Sequence, residues 1–243
     1  MDLRLSAQLC IVLAACTPRP SVPAPGTELR PEAATTPAEA PRLPDLRMAE
    51  HYGDAVAIKN AVIAGELEDM RMPARRLRDD EGHHPTTWLP FIAANRAHAD
   101  ALLVTKDRRV AGAAAAGLAR TCGDCHAAMG MGPRFDPPHD MPAAADDPRQ
   151  RMQRHQWAAD RMWEALIDRS EYAWMAGAAA LAVAPLDRAD LTRDVELTED
   201  VLRLNERVHE LGALAGTAVG WDARAGLYGE FLTTCAGCHQ SGC

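Results

Sequence analysis

The stretch DRRVAGAAAAGLARTCGDCH, Asp107–His126, decides how this chain is read. It is rich in alanine, free of proline and without a β-branched run, so it predicts a helix. Asp107 stands where an N-cap belongs. The stretch closes on Cys122-Gly-Asp-Cys125-His126. A second stretch, DARAGLYGEFLTTCAGCH, Asp222–His239, has the same plan. Asp222 is its candidate cap, and Cys235-Ala-Gly-Cys238-His239 is its end. The two C-x-x-C-H segments lie 113 residues apart (235 − 122) in a chain with only 7 cysteines.

Working backwards from each segment, the chain reads as a duplication. The first copy opens near MAEHYGDAVAIKNAVIAGELED from Met48, the second near MQRHQWAADRMWEALIDRSEYAW from Met152. Both begin Met-x-x-His and continue with apolar residues at helical spacing, Ala55, Ile58 and Val62 against Ala159, Met162 and Leu166. Gly65 ends the first of these helices. Asp168-Arg-Ser170 interrupts the second, and Ser170 is a cap for the next helix. Second helices are expected at 67–78, where Pro73 implies a kink or a late start, and at 171–184. Third helices are expected at 87–105 and 198–219, fourth helices at 107–128 and 222–239. Between the copies lies a Pro- and Asp-rich linker ending in Asp147-Pro148, a cap with proline at the first helical position. Four amphipathic helices with short connections favour a bundle. The expected fold is all-α: two tandem antiparallel four-helix bundles, residues 45–132 and 148–243, joined by a linker at 133–147.

On a helix, i and i+3 share a face. Cys122 with Cys125, and Cys235 with Cys238, can therefore meet one porphyrin edge as thioethers. His126 and His239 come directly after them and can hold iron from one side. This spacing is the c-type haem attachment signature. Zinc is the chief chemical rival, but zinc ribbons set their C-x-x-C pairs on short β-knuckles and do not require the adjoining histidine. A thioredoxin-like dithiol wants a βαβ setting that this composition does not offer.

A C-x-x-C-H at the end of the fourth helix of a small bundle resembles the cytochrome c-prime type, here in tandem as in exported dihaem c-type cytochromes. The resemblance covers roughly residue 45 to the end. It implies two haem c groups and a first helix that crosses the distal face of each. That helix offers His51 and His155 as sixth ligands, with Met48 and Met152 as alternatives one turn away. His98 and His209 on the third helices are a rival pair. His83, His84 and His139 fall in loops and are expected to be exposed. Trp157, Trp163, Trp174 and Trp221 are expected to pack the second core.

The chain has 243 residues and is 47% hydrophobic, enough for a core. Its formal charge of −8 argues against nucleic acid as a partner, since phosphate binding needs a basic face. At the N-terminus, Leu9–Ala15 is an apolar stretch too short to span a bilayer and reads as a signal segment, residues 1–15. Leu13-Ala14-Ala15-Cys16 resembles a bacterial lipobox, which would make Cys16 a lipidated residue. Residues 16–44 are proline-rich and read as an extended tether. The expected protein is an exported, lipid-anchored dihaem cytochrome on the periplasmic side of a bacterial membrane. It would carry electrons between redox partner proteins and would not be an enzyme. A five-coordinate haem that binds or senses small gases is the alternative, and a peroxidase-like enzyme comes after it. Cys243 is left over: a free thiol, an intermolecular disulfide or a bystander.

Overall fold

Alanine makes the central helix of this protein. The computed structural model describes residues 43–82, 84–133, 135, 139–143, 148–185 and 198–241. Among them are eight α-helices and no strand: α1 Leu43–Ala64, α2 Arg71–Arg78, α3 Leu89–Val104, α4 Arg108–Met129, α5 Pro148–Asp168, α6 Glu171–Leu181, α7 Glu199–Ala215 and α8 Trp221–Gln240. The protein is all-α over this range. The signal segment, most of the tether, Cys16, His83, Asp147 and Cys243 lie outside the described residues, as does much of the linker. Leu43 and Pro44, read from sequence as tether, already belong to α1.

Side-chain caps open three of the helices. The Asp107 side chain accepts from the backbone N–H of Arg109 and Val110 and opens α4. Ser170 caps α6 through Ala173 N–H, and Thr198 caps α7 through Val201 N–H. Asp222 is a correction. The N-cap of α8 is Gly220 at φ +83°, which makes no side-chain cap bond. Asp222 instead lies in the first turn, where it favours the helix dipole and stands 3.2 Å from Arg120 Nε. The second helix of the first copy is shorter than expected. It starts at Arg71, so Pro73 falls in the first turn and needs no kink.

Each helix touches its successor or near-successor. Helix α1 packs on α2 and α4, α2 on α3, and α3 on α4; in the second half α5 packs on α6, α6 on α7, α7 on α8, and α8 touches α5. The two halves then meet along α4 and α8, the most extensive helix pair, with further contacts of α4 on α5 and α1 on α8. From Pro41 onward the chain belongs to one compact unit.

Small residues permit that central contact. Ala111, Ala114, Ala115, Ala116 and Ala119 are all buried on α4. A methyl group on Gly112 would sit 2.5 Å from the Gly229 carbonyl oxygen, so only glycine lets the α4 and α8 backbones approach this closely. Thr233 Oγ1 donates to Arg108 O at 3.3 Å, and Arg120 meets Asp222. Position rises on α4 as it falls on α8 through these three contacts, so the pair is antiparallel. Trp163, Trp174, Tyr228 and Phe231 are fully buried around it. Trp163 and Trp174 are buried in one core that runs through both halves rather than in a separate second core, while Trp157 and Trp221 are only partly buried against it.

Candidate functional site

The first C-x-x-C-H ends α4 against the C-terminal turn of α5. Gly123 lies so close to Leu166 O that a side chain there would collide with it. His126 Nδ1 is 3.1 Å from Ile167 O. A carbonyl only accepts, so Nδ1 carries the proton that points at it. That is how a metal-binding histidine is usually oriented from behind. Asp124 is gripped by Arg120 from its own helix and by Arg169 from the end of α5. Arg169 sits just past α5 at φ 61°, an uncommon conformation for a residue with a side chain. From there its guanidinium also reaches Arg120 O at 3.3 Å and lies over the Trp221 ring. Asn95 Nδ2 donates to Cys122 Sγ at 3.7 Å.

The second C-x-x-C-H ends α8 beside a cavity of about 390 Å³. Cys235, Cys238 and His239 line it from α8, and Met152 and His155 line it from α5. The motif and both sequence-predicted distal candidates of the second copy thus share one hollow. Its remaining wall combines apolar Ala159 from α5, Val208 from α7, Phe231 from α8 and Ile63 from α1 of the other half with the amides of Gln153, Gln156 and Asn205. Gln240 Nε2 donates to Gly65 O at 2.7 Å, which ties the end of α8 to the end of α1. A larger hollow of about 930 Å³ opens on the other side of α8, but no motif cysteine or histidine lines it. Its charged walls close on themselves, as in Arg207 with Glu210 and Glu230 at 2.9 Å each.

His155 is buried, and its Nε2 has no hydrogen-bond partner. Burial pushes this imidazole down to about 4, helped by His209, Arg151 and Arg154, so it is neutral at pH 7. His209 lies behind it, ring centroids 5.1 Å apart and planes at 67°. The Nδ1–H of His209 donates to Leu181 O at 2.7 Å, and His209 does not line the cavity. Of the two histidines on offer in the second half, His155 is the one presented to the motif.

The first half is arranged differently. His51 Nε2 faces Asp80 Oδ2 at 3.4 Å, and His84 Nε2 approaches the same oxygen at 3.0 Å. Arg47 reaches the other oxygen of Asp80 at 3.5 Å. None of the described contacts joins His51 or Met48 to Cys122, Cys125 or His126. His84, expected from sequence to be exposed, has a side chain only 11% exposed and stacks on Trp88. Its loop is pinned by Arg96, which donates to Arg78 O and Asp80 O. His139 is exposed as expected. His98 packs against Gly117 of α4, and burial lowers its basicity, with Arg120 adding to the effect.

The thiols are protonated. Burial pushes Cys122 up to about 11 and Cys235 up to about 12, and it raises Cys125 as well. A reactive redox dithiol needs the opposite shift, toward thiolate at neutral pH. Cys122, Cys125 and Cys235 are free, whereas Cys238 is disulfide-bonded. Any reaction of Cys238 as a thiol therefore requires that bond to be reduced first.

Sequence reading found the motif residues and the distal candidates. It missed Ile167 O, Arg169, Asn95 and Ile63, which arrive from other elements. Arg169 left one trace, the break at Asp168-Arg-Ser170, which was legible as a helix end and not as a clamp. No family model, curated protein or solved structure matches the chain.

Proposed function

We propose that this chain is a dihaem c-type cytochrome that transfers electrons between redox partner proteins. The observation that carries the reading is the second cavity, where Cys235, Cys238, His239 and His155 meet a partly apolar wall. A hollow of about 390 Å³ suits a flat macrocycle better than a zinc ion, whose structural sites are closed by their four ligands. The buried, unpartnered Nε2 of His155 is the kind of polar atom that a bound iron would satisfy. Haem c supplies reversible one-electron chemistry when bound.

The residues divide the work. Cys122 and Cys125, with Cys235 and Cys238, would hold the two groups covalently. His126 and His239 would be the proximal ligands, with the Nδ1 of His126 already committed to Ile167 O. Val208, Phe231 and Ile63 would keep water from one face of the second group. The helix neighbours support two four-helix rings, α1–α4 and α5–α8, back to back through α4 and α8, each delivering its motif at the end of its last helix. Because α4 and α8 run antiparallel, the motifs lie toward opposite ends of the pair. In the register set by Gly112 with Gly229 and Arg120 with Asp222, Cys122 falls beside residue ~219 and Cys235 ~16 residues further on. That is about 24 Å along the axis at 1.5 Å per residue. Opposite placement would let one partner dock at each end. A lipid anchor at Cys16, a tether that ends before α1 and a periplasmic location complete the proposal. No helix among the described residues is long and apolar enough to cross a membrane.

The test is covalent haem. The full chain is produced with its export segment in a host that matures c-type haem. Mass spectrometry and the alkaline pyridine spectrum are expected to give two haems per chain, and a potentiometric titration two electrons. Cys235→Ser with Cys238→Ser is expected to leave one haem. Zinc in place of iron, with no mass gain, would refute the reading.

A further inference from the structure

We infer that each attachment motif is backed by a guanidinium from the opposite half, Arg169 behind residues 122–126 and Arg108 behind residues 235–239, and that each of these cations raises the reduction potential of one site. The inference rests on the haem reading and extends it to what tunes each site. It comes from the glycine inside each motif, Gly123 and Gly237, and from what lies against it.

Two cysteines at i and i+3 share one helix face, and the residues between them turn away from it. A cation against the intervening glycine therefore stands behind the motif and leaves the cysteine face clear. At Gly123 a methyl group would sit 2.8 Å from Arg169 Nε. The Arg169 side chain is only 15% exposed. Its Nη2 donates to Asp124 within the motif and to Arg120 O, while Nε is buried without a partner. The left-handed backbone at φ 61° and the unpaired buried donor both cost stability. Packing alone would be met more cheaply by an uncharged side chain. Asp124 is one carboxylate between two guanidiniums, Arg120 and Arg169. Asp222 is a further anion there, but its side chain is 90% exposed and screened by water.

The second motif receives its cation from the start of α4. Arg108 Nη1 lies 3.7 Å from where a methyl group on Gly237 would stand. The antiparallel crossing brings it there, because the first turn of α4 meets the last turns of α8, where Thr233 Oγ1 donates to Arg108 O. None of the described ion pairs neutralises Arg108, and the nearby Glu210 and Glu230 are both taken by Arg207. A fixed cation favours whichever state of its neighbour carries less positive charge, here the reduced one, and so raises the potential. Arginine keeps its charge at every working pH. Arg169 and Arg108 are positioning residues in this sense: they touch the motifs and leave the cysteines and histidines free.

The experiment is a potentiometric titration of two single-haem forms of the full chain, with covalent haem and helicity measured in each. Cys235→Ser with Cys238→Ser keeps the first site, and Cys122→Ser with Cys125→Ser keeps the second. Arg169→Gln is expected to lower the midpoint of the first-site chain and leave the second-site chain unchanged. Arg108→Gln is expected to do the reverse. Arg169→Lys and Arg108→Lys, which retain the charge, are expected to restore most of each shift. Asp124→Asn tests the same balance without touching an arginine and is expected to raise the first-site midpoint. An unmoved midpoint in a glutamine variant of native helicity, or one arginine shifting both sites equally, would overturn the inference and leave the haem reading standing. So would a shift that lysine fails to restore, since packing and not charge would then be responsible. Absence of covalent haem from the wild type would overturn the haem reading, and the inference with it.

Discussion

Tyr52 shows how much a single side chain feels both halves. It belongs to α1, packs on Phe135 at 5.3 Å, and stands near the carboxylates of Glu164 and Asp160 on α5. Burial first, and those negative charges second, push its phenol from 10.0 up to about 12. Between these values the unfolded chain releases a proton that the folded chain keeps. Stability is therefore fully present below pH 10 and falls as pH rises toward 12. Tyr52→Phe removes that proton, so its urea midpoint should fall less steeply than that of the wild type between about pH 10 and 11.5. Equal slopes would mean that Tyr52 is not held in its neutral form. His126 makes the complementary point. Its place in the motif was legible from sequence, but the carbonyl that selects its tautomer lies on another helix, 41 positions away.

Helices α4 and α8 succeed because they can touch. Gly112→Ala would put a methyl group 2.5 Å from both Gly229 O and Thr233 Oγ1. The backbone cannot yield cheaply, and overpacking of this kind costs about 1–3 kcal/mol, against which alanine returns about 1 kcal/mol in helix propensity. A net loss of up to about 2 kcal/mol is expected by chemical denaturation. At Gly226, on the exposed side of α8, an added methyl group would have nothing within 4 Å. Gly226→Ala should stabilise by about 0.5–1 kcal/mol. The contrast isolates close approach from propensity, and equal effects of the two changes would rule out the tight crossing. At this scale the alanine runs and caps were legible where Asp107 and Ser170 open their helices, whereas the Thr198 cap of α7 is not legible as one. Asp222 misled because Gly220 supplies the turn two residues earlier, through a positive φ rather than a side-chain cap.

In the whole molecule, an ion pair between a buried ammonium and a half-exposed carboxylate crosses between the halves. Lys59 of α1 is 2% exposed and pairs with Asp160 of α5, which also accepts from Gln156 at 3.0 Å. Asp160→Ala would strand a buried ammonium and should destabilise by about 3 kcal/mol. Adding Lys59→Met removes the stranded charge and should recover most of that loss. If Asp160→Ala alone is silent in denaturation, Lys59 finds water and the halves do not depend on the pair. The same interlocking places Ile63 of the first half at the second cavity and Ile167 of the second half at the first motif. Each candidate site is thus built partly by the other copy.

The sequence determined what is local and periodic: helices from alanine and caps, and two C-x-x-C-H segments whose i, i+3 cysteines share a face. It also showed two Met-x-x-His segments, Met48 with His51 and Met152 with His155. Tertiary structure decided which of these face a motif. The antiparallel packing of α4 on α8, the Asp80 loop that takes His51, and the His209 that backs His155 are contacts between residues far apart in the chain. They depend on which surfaces fit when helices pack, and no window of sequence contains both partners.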